Sequence, residues 1–197
     1  MSRPFEDYTD QFFWDFKRMD NVNYNFRLIE TQYRAKKHFN DDEDFNKPII
    51  ILLVAIIECC LFDFLARVTQ HRHDPLPNMS QDTILFLRES KEPDIFKTVL
   101  DRIKSQNLLR VKKGEALYDD LDFLRKVRNR IHIQNKHHEL DVDKTNSKYK
   151  NEYFVYIDDI LLIAQNCFEK VINVLCNVYP RGNKSPLPMS DFPRPWL

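Results

Sequence analysis

Glycine occurs only twice in the 197 residues, at Gly114 and Gly182, against an ordinary usage of ~7%. The glycine-rich loops that cradle dinucleotides or nucleoside triphosphates therefore have no counterpart here, and a Rossmann or P-loop function is excluded. Net charge is also missing, since 30 Lys+Arg balance 30 Asp+Glu, so any affinity for nucleic acid has to come from a local patch. Cysteine is sparse and unpatterned. Cys59, Cys60, Cys167 and Cys176 lie in apolar segments with no Cys-x-x-Cys spacing, which argues for buried free thiols over a zinc knuckle or a disulfide scaffold. The longest apolar run, Ile49 to Ile57, is followed by Glu58 and Asp63, whereas a membrane span needs about 20 nearly uncharged residues. Residues Met1 to Asp7 lack the basic start and apolar stretch of a secretion signal. The expectation is a soluble, cytoplasmic protein with no membrane partner.

The chain is 43% hydrophobic, enough to fill a core of ordinary size. Strand-like alternation is nearly absent, and prolines at 4, 48, 75, 77, 93 and 180 leave helical stretches between them. The fold class expected is all-α: an antiparallel helical bundle with four to six helices, an amino-terminal helical extension and a proline-rich carboxy-terminal tail. From Pro48 to Val68 the apolar residues are too dense for one stripe, as in a helix at the centre of a bundle. Ser80 is placed to cap a short helix carrying Ile84, Leu85 and Leu87, and Pro93 to open another with Ile95, Phe96, Val99, Leu100 and Ile103. Leu117, Leu121, Leu124, Val127 and Ile131 predict a helix from about Glu115 to Asn135. Ile157, Ile160, Leu161, Ala164, Cys167, Phe168, Val171, Leu175 and Val178 predict a last, long core helix.

Three regions follow. Residues 1–46 are aromatic-rich and read as one or two helices packed on the core, without a clear register. Residues 47–179 form the bundle, with a polar loop over 139–151. Residues 180–197, holding Pro186, Pro188, Pro193 and Pro195, read as an extended or disordered tail.

One segment stands apart. From Arg125 to His138 there are five Lys/Arg, three His and no acid. On a helix, Arg125, Arg128 and His132 share a face, beside the apolar face of Leu121, Leu124, Val127 and Ile131. An imidazole beside two guanidiniums repels as a structural cluster but suits a phosphate. Two other readings stay open: the arginines form a solvated face pairing with Asp119, Asp120 and Asp122, and Glu58 or Asp63, carboxylates in an apolar helix that each need a partner, brace Arg125 or Arg128 from behind. His71, His73 and Asp74 lie at a helix terminus and lack the ligand spacing of a metal site.

The run Leu124-Arg125-Lys126-Val127-Arg128-Asn129-Arg130-Ile131-His132, late in an all-α chain and ahead of a polar loop and a long apolar helix, resembles the HEPN superfamily. The signature of that family is an Arg, four to six residues and a His, with a polar residue, often Asn, after the Arg. Arg125 and His132 have six residues between them, with Lys126 after the arginine. Arg128-Asn129 supplies the dipeptide, with three residues before His132. The resemblance spans roughly Pro48 to Tyr179. It implies a helical homodimer and a ribonuclease that needs no metal or other cofactor, of the toxin–antitoxin, phage-defence or stress-response kind. The catalytic set it implies is Arg125, Arg128, Asn129 and His132, with Lys126, Arg130 and Lys136 binding the RNA substrate and an antitoxin or regulatory protein as a further partner. The alternative is a non-catalytic HEPN-like dimer that binds RNA or a partner protein through the same basic face.

Overall fold

The computed structural model describes residues 16–40, 42–70, 76, 78–90, 93, 95–129, 156–180 and 194–196. Six α-helices and no strand occur among them: α1 (Phe16–His38), α2 (Asn46–Gln70), α3 (Gln81–Glu89), α4 (Phe96–Ser105), α5 (Leu117–Asn129) and α6 (Asp158–Asn177). The chain is all-α in the described residues, as its periodicity predicts.

Helix α2 is the axis of the packing and touches every other helix among the described residues. Its apolar residues face several neighbours at once, and Ile49, Ile50, Leu53, Val54, Ile56, Ile57, Leu61, Leu65 and Val68 are all buried. Pro48 sits in its first turn, where a missing N–H costs nothing. The stretch Glu43–Gln70 is long and apolar enough to cross a membrane by length and composition, yet 67% of its apolar window is buried inside the protein. That is the pattern of a core helix.

Caps and turns set the remaining elements. The Ser80 hydroxyl accepts from Thr83 N at 3.2 Å and starts α3. Helix α4 begins at Phe96, not at Pro93; Ile95 is its extended N-cap residue and contributes no side-chain hydrogen bond. Between α4 and α5 the backbone takes positive φ at Asn107, Arg110 and Gly114. Asn107 fastens this turn, donating through Nδ2 to Val111 O at 3.1 Å and accepting at Oδ1 from Val111 N at 2.9 Å. Helix α5 starts at Leu117, two residues later than the stripe suggests; residues 130–135 of the expected helix and the loop 139–151 lie outside the described residues.

The amino-terminal helix joins the same core through Val22, Phe26 and Ile29. Its last turn carries a buried cation, Lys36, whose Nζ donates to Asn46 Oδ1 at 2.7 Å and to Asp158 Oδ1. Asn46 Nδ2 completes the triangle, donating to Asp158 Oδ1 at 3.0 Å. Arg18 of α1 pairs with the buried Asp63 of α2 at 3.2 Å. At the other end of the molecule, buried Arg67 donates from its two terminal nitrogens to Tyr179 O at 2.7 Å and Pro180 O at 3.0 Å. Helix C-termini leave carbonyls without intrahelical partners, and this guanidinium supplies two donors just past α6.

Of the segment expected to be extended or disordered, residues 194–196 are described beyond Pro180; 195 and 196 form a turn, and Trp196 packs partly buried against the core. An indole offers a large apolar ring and a donor at once, and both are used here.

Candidate functional site

Helix α5 buries Leu117, Leu121, Leu124 and Val127. Their spacing fixes its rotation, and Arg125 and Arg128 fall on the flanks of the buried stripe. Neither guanidinium stands apart from acid. Arg125 donates from Nε to Asp122 Oδ1 at 2.9 Å and pairs through its terminal nitrogen with the same oxygen at 2.8 Å. Lys126 reaches the second oxygen of Asp122 at 3.1 Å. Burial pushes the Asp122 carboxyl up, but the hydrogen bonds and charges of Arg125 and Lys126 outweigh it and hold the group below its ordinary value.

Arg128 faces the central helix. Its terminal nitrogen lies 2.7 Å from Glu58 Oε2, with 26% of the arginine side chain and 21% of the glutamate side chain exposed. Its guanidinium carbon lies 6.0 Å from the centre of the Phe96 ring, and its Nε is buried with no hydrogen-bond acceptor among the described residues. Desolvation raises the Glu58 carboxyl above its ordinary value despite the opposing charge and hydrogen bond of Arg128. Arg128 is therefore fixed on three sides, by an ion pair, an aromatic face and its own buried stem, while about a quarter of it still meets solvent.

Of the residues expected in the site, Arg125, Lys126, Arg128 and Asn129 lie together on the last two turns of α5. The stem of that end is held by Tyr156, just before α6, whose hydroxyl donates to Val127 O at 3.3 Å. Arg130, His132 and Lys136 lie outside the described residues, as do His71, His73 and Asp74. Arg125 pairs with one of the three acids considered for it, Asp122, with 15% of its side chain exposed; Glu58 is the carboxylate paired with Arg128, and Asp63 pairs with Arg18.

The cysteines sit where their apolar context suggests. Cys60, Cys167 and Cys176 are buried and Cys59 is half-buried, all as free thiols. Burial pushes Cys167 and Cys176 up to about 12 and Cys60 well above its ordinary value, so these three are poor nucleophiles. Among the described residues no group of three His, Cys, Asp or Glu is placed to hold a metal ion.

Sequence periodicity does not reveal a second feature, a groove of about 740 Å³ between α1 and α6. Tyr33, Lys36, Asp158, Gln165 and Trp196 are among the residues that line it. The signal for it is split between chain ends, so no local window contains it. Comparison with family models, with curated proteins and with solved structures returned no match to this chain.

Proposed function

We propose that the chain is a metal-independent endoribonuclease of HEPN type, an antiparallel helical bundle that acts as a homodimer. The observation that supports this most is the Glu58–Arg128 pair at 2.7 Å. It gives a half-buried guanidinium a fixed direction at the end of α5, next to Asn129 and in the run that leads to His132. A positioned cation of this kind stabilises charge on a phosphorane without reorganising during the reaction, and one such donor is typically worth ~3 kcal/mol.

In this reading neutral His132 takes the proton of a ribose 2′-hydroxyl. The 2′-oxygen attacks the adjacent phosphorus, the 5′-oxygen leaves and is protonated, and a 2′,3′-cyclic phosphate remains. Arg128 or Arg125 holds the non-bridging oxygens, Asn129 orients the phosphate or the imidazole, and Lys126, Arg130 and Lys136 attract the strand. Two protomers set their signature helices across a two-fold axis, giving a composite cleft. Cytoplasmic toxin, phage-defence or stress action, restrained by an antitoxin or regulatory protein, fits such an activity.

A second reading draws on the carboxylates. Asp122 is shared by Arg125 and Lys126, and Glu58 pairs with Arg128, so part of the positive charge is offset, which suits a non-catalytic dimer that binds RNA or a partner protein through this face. Incubation of the purified chain with RNA in EDTA separates the two. Cleavage leaving cyclic phosphate ends, lost in His132→Ala and Arg128→Ala with the dimer intact, supports the nuclease. Salt-dependent binding with no product selects the second reading.

A further inference from the structure

The segment 194–196 returns to the body of the protein at one defined place. The Trp196 indole N–H donates to Glu169 Oε1 on α6 at 3.0 Å. The ring stands edge-on to Phe168 of α6, with centroids 5.7 Å apart and planes at 89°. Tyr33 of α1 closes the other side at 6.1 Å, and its hydroxyl accepts a hydrogen bond from Gln165 Nε2 at 2.5 Å. Phe168 is 1% exposed and belongs to the main core, so the floor of this socket is rigid. Trp196 and Pro195 in turn form part of the wall of the α1–α6 groove.

Three kinds of recognition thus meet on one side chain: a charge-assisted hydrogen bond to the indole N–H, an edge-to-face ring contact, and an aromatic wall from a second helix. The helices that supply them pack mainly on α2 and meet each other through side chains, Phe26 on Phe168, Tyr33 on Gln165 and Lys36 on Asp158. A ring inserted between them fills a space that their backbones leave. The chain is long enough for this return. From Asn177 back to Glu169 is about 12 Å along α6, and the residues between Pro180 and Arg194 reach beyond that even when far from extended, at ~3.3 Å per residue.

We propose that the socket formed by Tyr33, Phe168 and Glu169 is a recognition site for the protein's own segment around residues 194–196, which docks in cis through Trp196 as a reversible ligand of the α1–α6 groove. Tethering makes a weak contact sufficient. An attached segment sees its site at an effective concentration on the order of millimolar, so a peptide that binds only modestly when free still occupies the socket when joined to the chain. Release of the end uncovers the Phe168 edge and the Glu169 carboxylate together and widens the groove at the Trp196 side.

The probe is a fluorescein-labelled peptide of residues 190–197, Ser-Asp-Phe-Pro-Arg-Pro-Trp-Leu. In the full-length Trp196→Ala chain, checked for unchanged helical circular dichroism, the peptide should bind saturably. The wild-type chain, whose socket is filled, should bind it at least ~10-fold more weakly, as should Trp196→Ala carrying Glu169→Ala. A peptide with alanine in place of its tryptophan should not bind. Independently, Trp14→Phe leaves Trp196 as the only tryptophan; its emission should be blue-shifted, and acrylamide should quench it several-fold less than the free peptide. Equal peptide binding by wild type and Trp196→Ala, or Trp196 emission and quenching like those of the free peptide, overturns the proposal. So does a dimer that dissociates on Trp196→Ala, because the end would then be docking in a second copy.

Discussion

Lys36 in the last turn of α1 and Asp158 in the first turn of α6 are ion-paired across 122 positions of sequence, and the cation is the buried member, with side-chain exposures of 9% and 60%. Asn46 at the head of α2 bonds to both. Three helix ends are thereby fixed at one point.

Acid sensitivity follows from this pair. The hydrogen bond from Lys36 holds the Asp158 carboxyl below its ordinary value, against a smaller opposing effect of burial. A depressed folded pKa adds stability that is present above the unfolded value of ~3.9 and is lost as pH falls through the folded one. Asp158→Asn should cost about 1 kcal/mol at neutral pH, a figure kept small because the carboxylate is largely exposed. The difference from wild type should shrink as pH falls from neutral to acid values below the depressed folded pKa, where the carboxyl is protonated in both states. Urea titrations at both pH values measure it, and an equal loss at both would rule out the ionic contribution.

Arg67 is predicted to be a stability residue. Arg67→Met keeps the apolar stem but removes the donors to Tyr179 O and Pro180 O. Leaving buried carbonyls unmet costs ~1–3 kcal/mol each, so the midpoint of chemical unfolding should drop by the equivalent of about 3 kcal/mol. Arg67→Lys should recover only part of it, because one ammonium cannot match the planar fork.

Glu58→Gln should be nearly silent in unfolding experiments, within about 1 kcal/mol of wild type, since the desolvation of Glu58 offsets much of its attraction to Arg128. RNA cleavage or binding should change far more than stability, because the amide no longer fixes the guanidinium. A large loss of stability with unaltered RNA behaviour would make the pair purely structural.

Core truncation on the same helix separates folding from chemistry. Leu124 is fully buried, and Leu124→Ala should cost about 3 kcal/mol by transfer and cavity effects. Differential scanning calorimetry should show a lower melting temperature, with the RNA behaviour per folded molecule unchanged.

Helices α5 and α6 were legible in the sequence because each presents a single apolar stripe at steps of three and four, and the Ser80 start of α3 because a hydroxyl ahead of a periodic run has a defined role. Helix α1 was harder to place. Val22, Phe26 and Ile29 are buried and Met19 and Tyr33 pack partly buried against the core, while Tyr24 is 62% exposed, so the aromatic excess obscures the stripe. Glu58 was recognisable as a carboxylate in need of a partner, and Arg128 meets that need. The partners of Asp63 and Lys36 were not recognisable, because they lie far away in sequence and no local pattern encodes an ion pair closed by tertiary packing. Trp196 escaped for a related reason: a lone aromatic in an aperiodic, proline-rich stretch carries no period to read. The histidine of the candidate site, His132, was legible as a motif and lies beyond the described end of α5.

The central position of α2 also decides how the protein should respond to cutting. All five other described helices rest on it, so a protease that severs the connection between α3 and α4 leaves both fragments seated on one common scaffold. The nicked protein should co-elute as a single particle and lose its structure in one step, with no smaller autonomous piece set free.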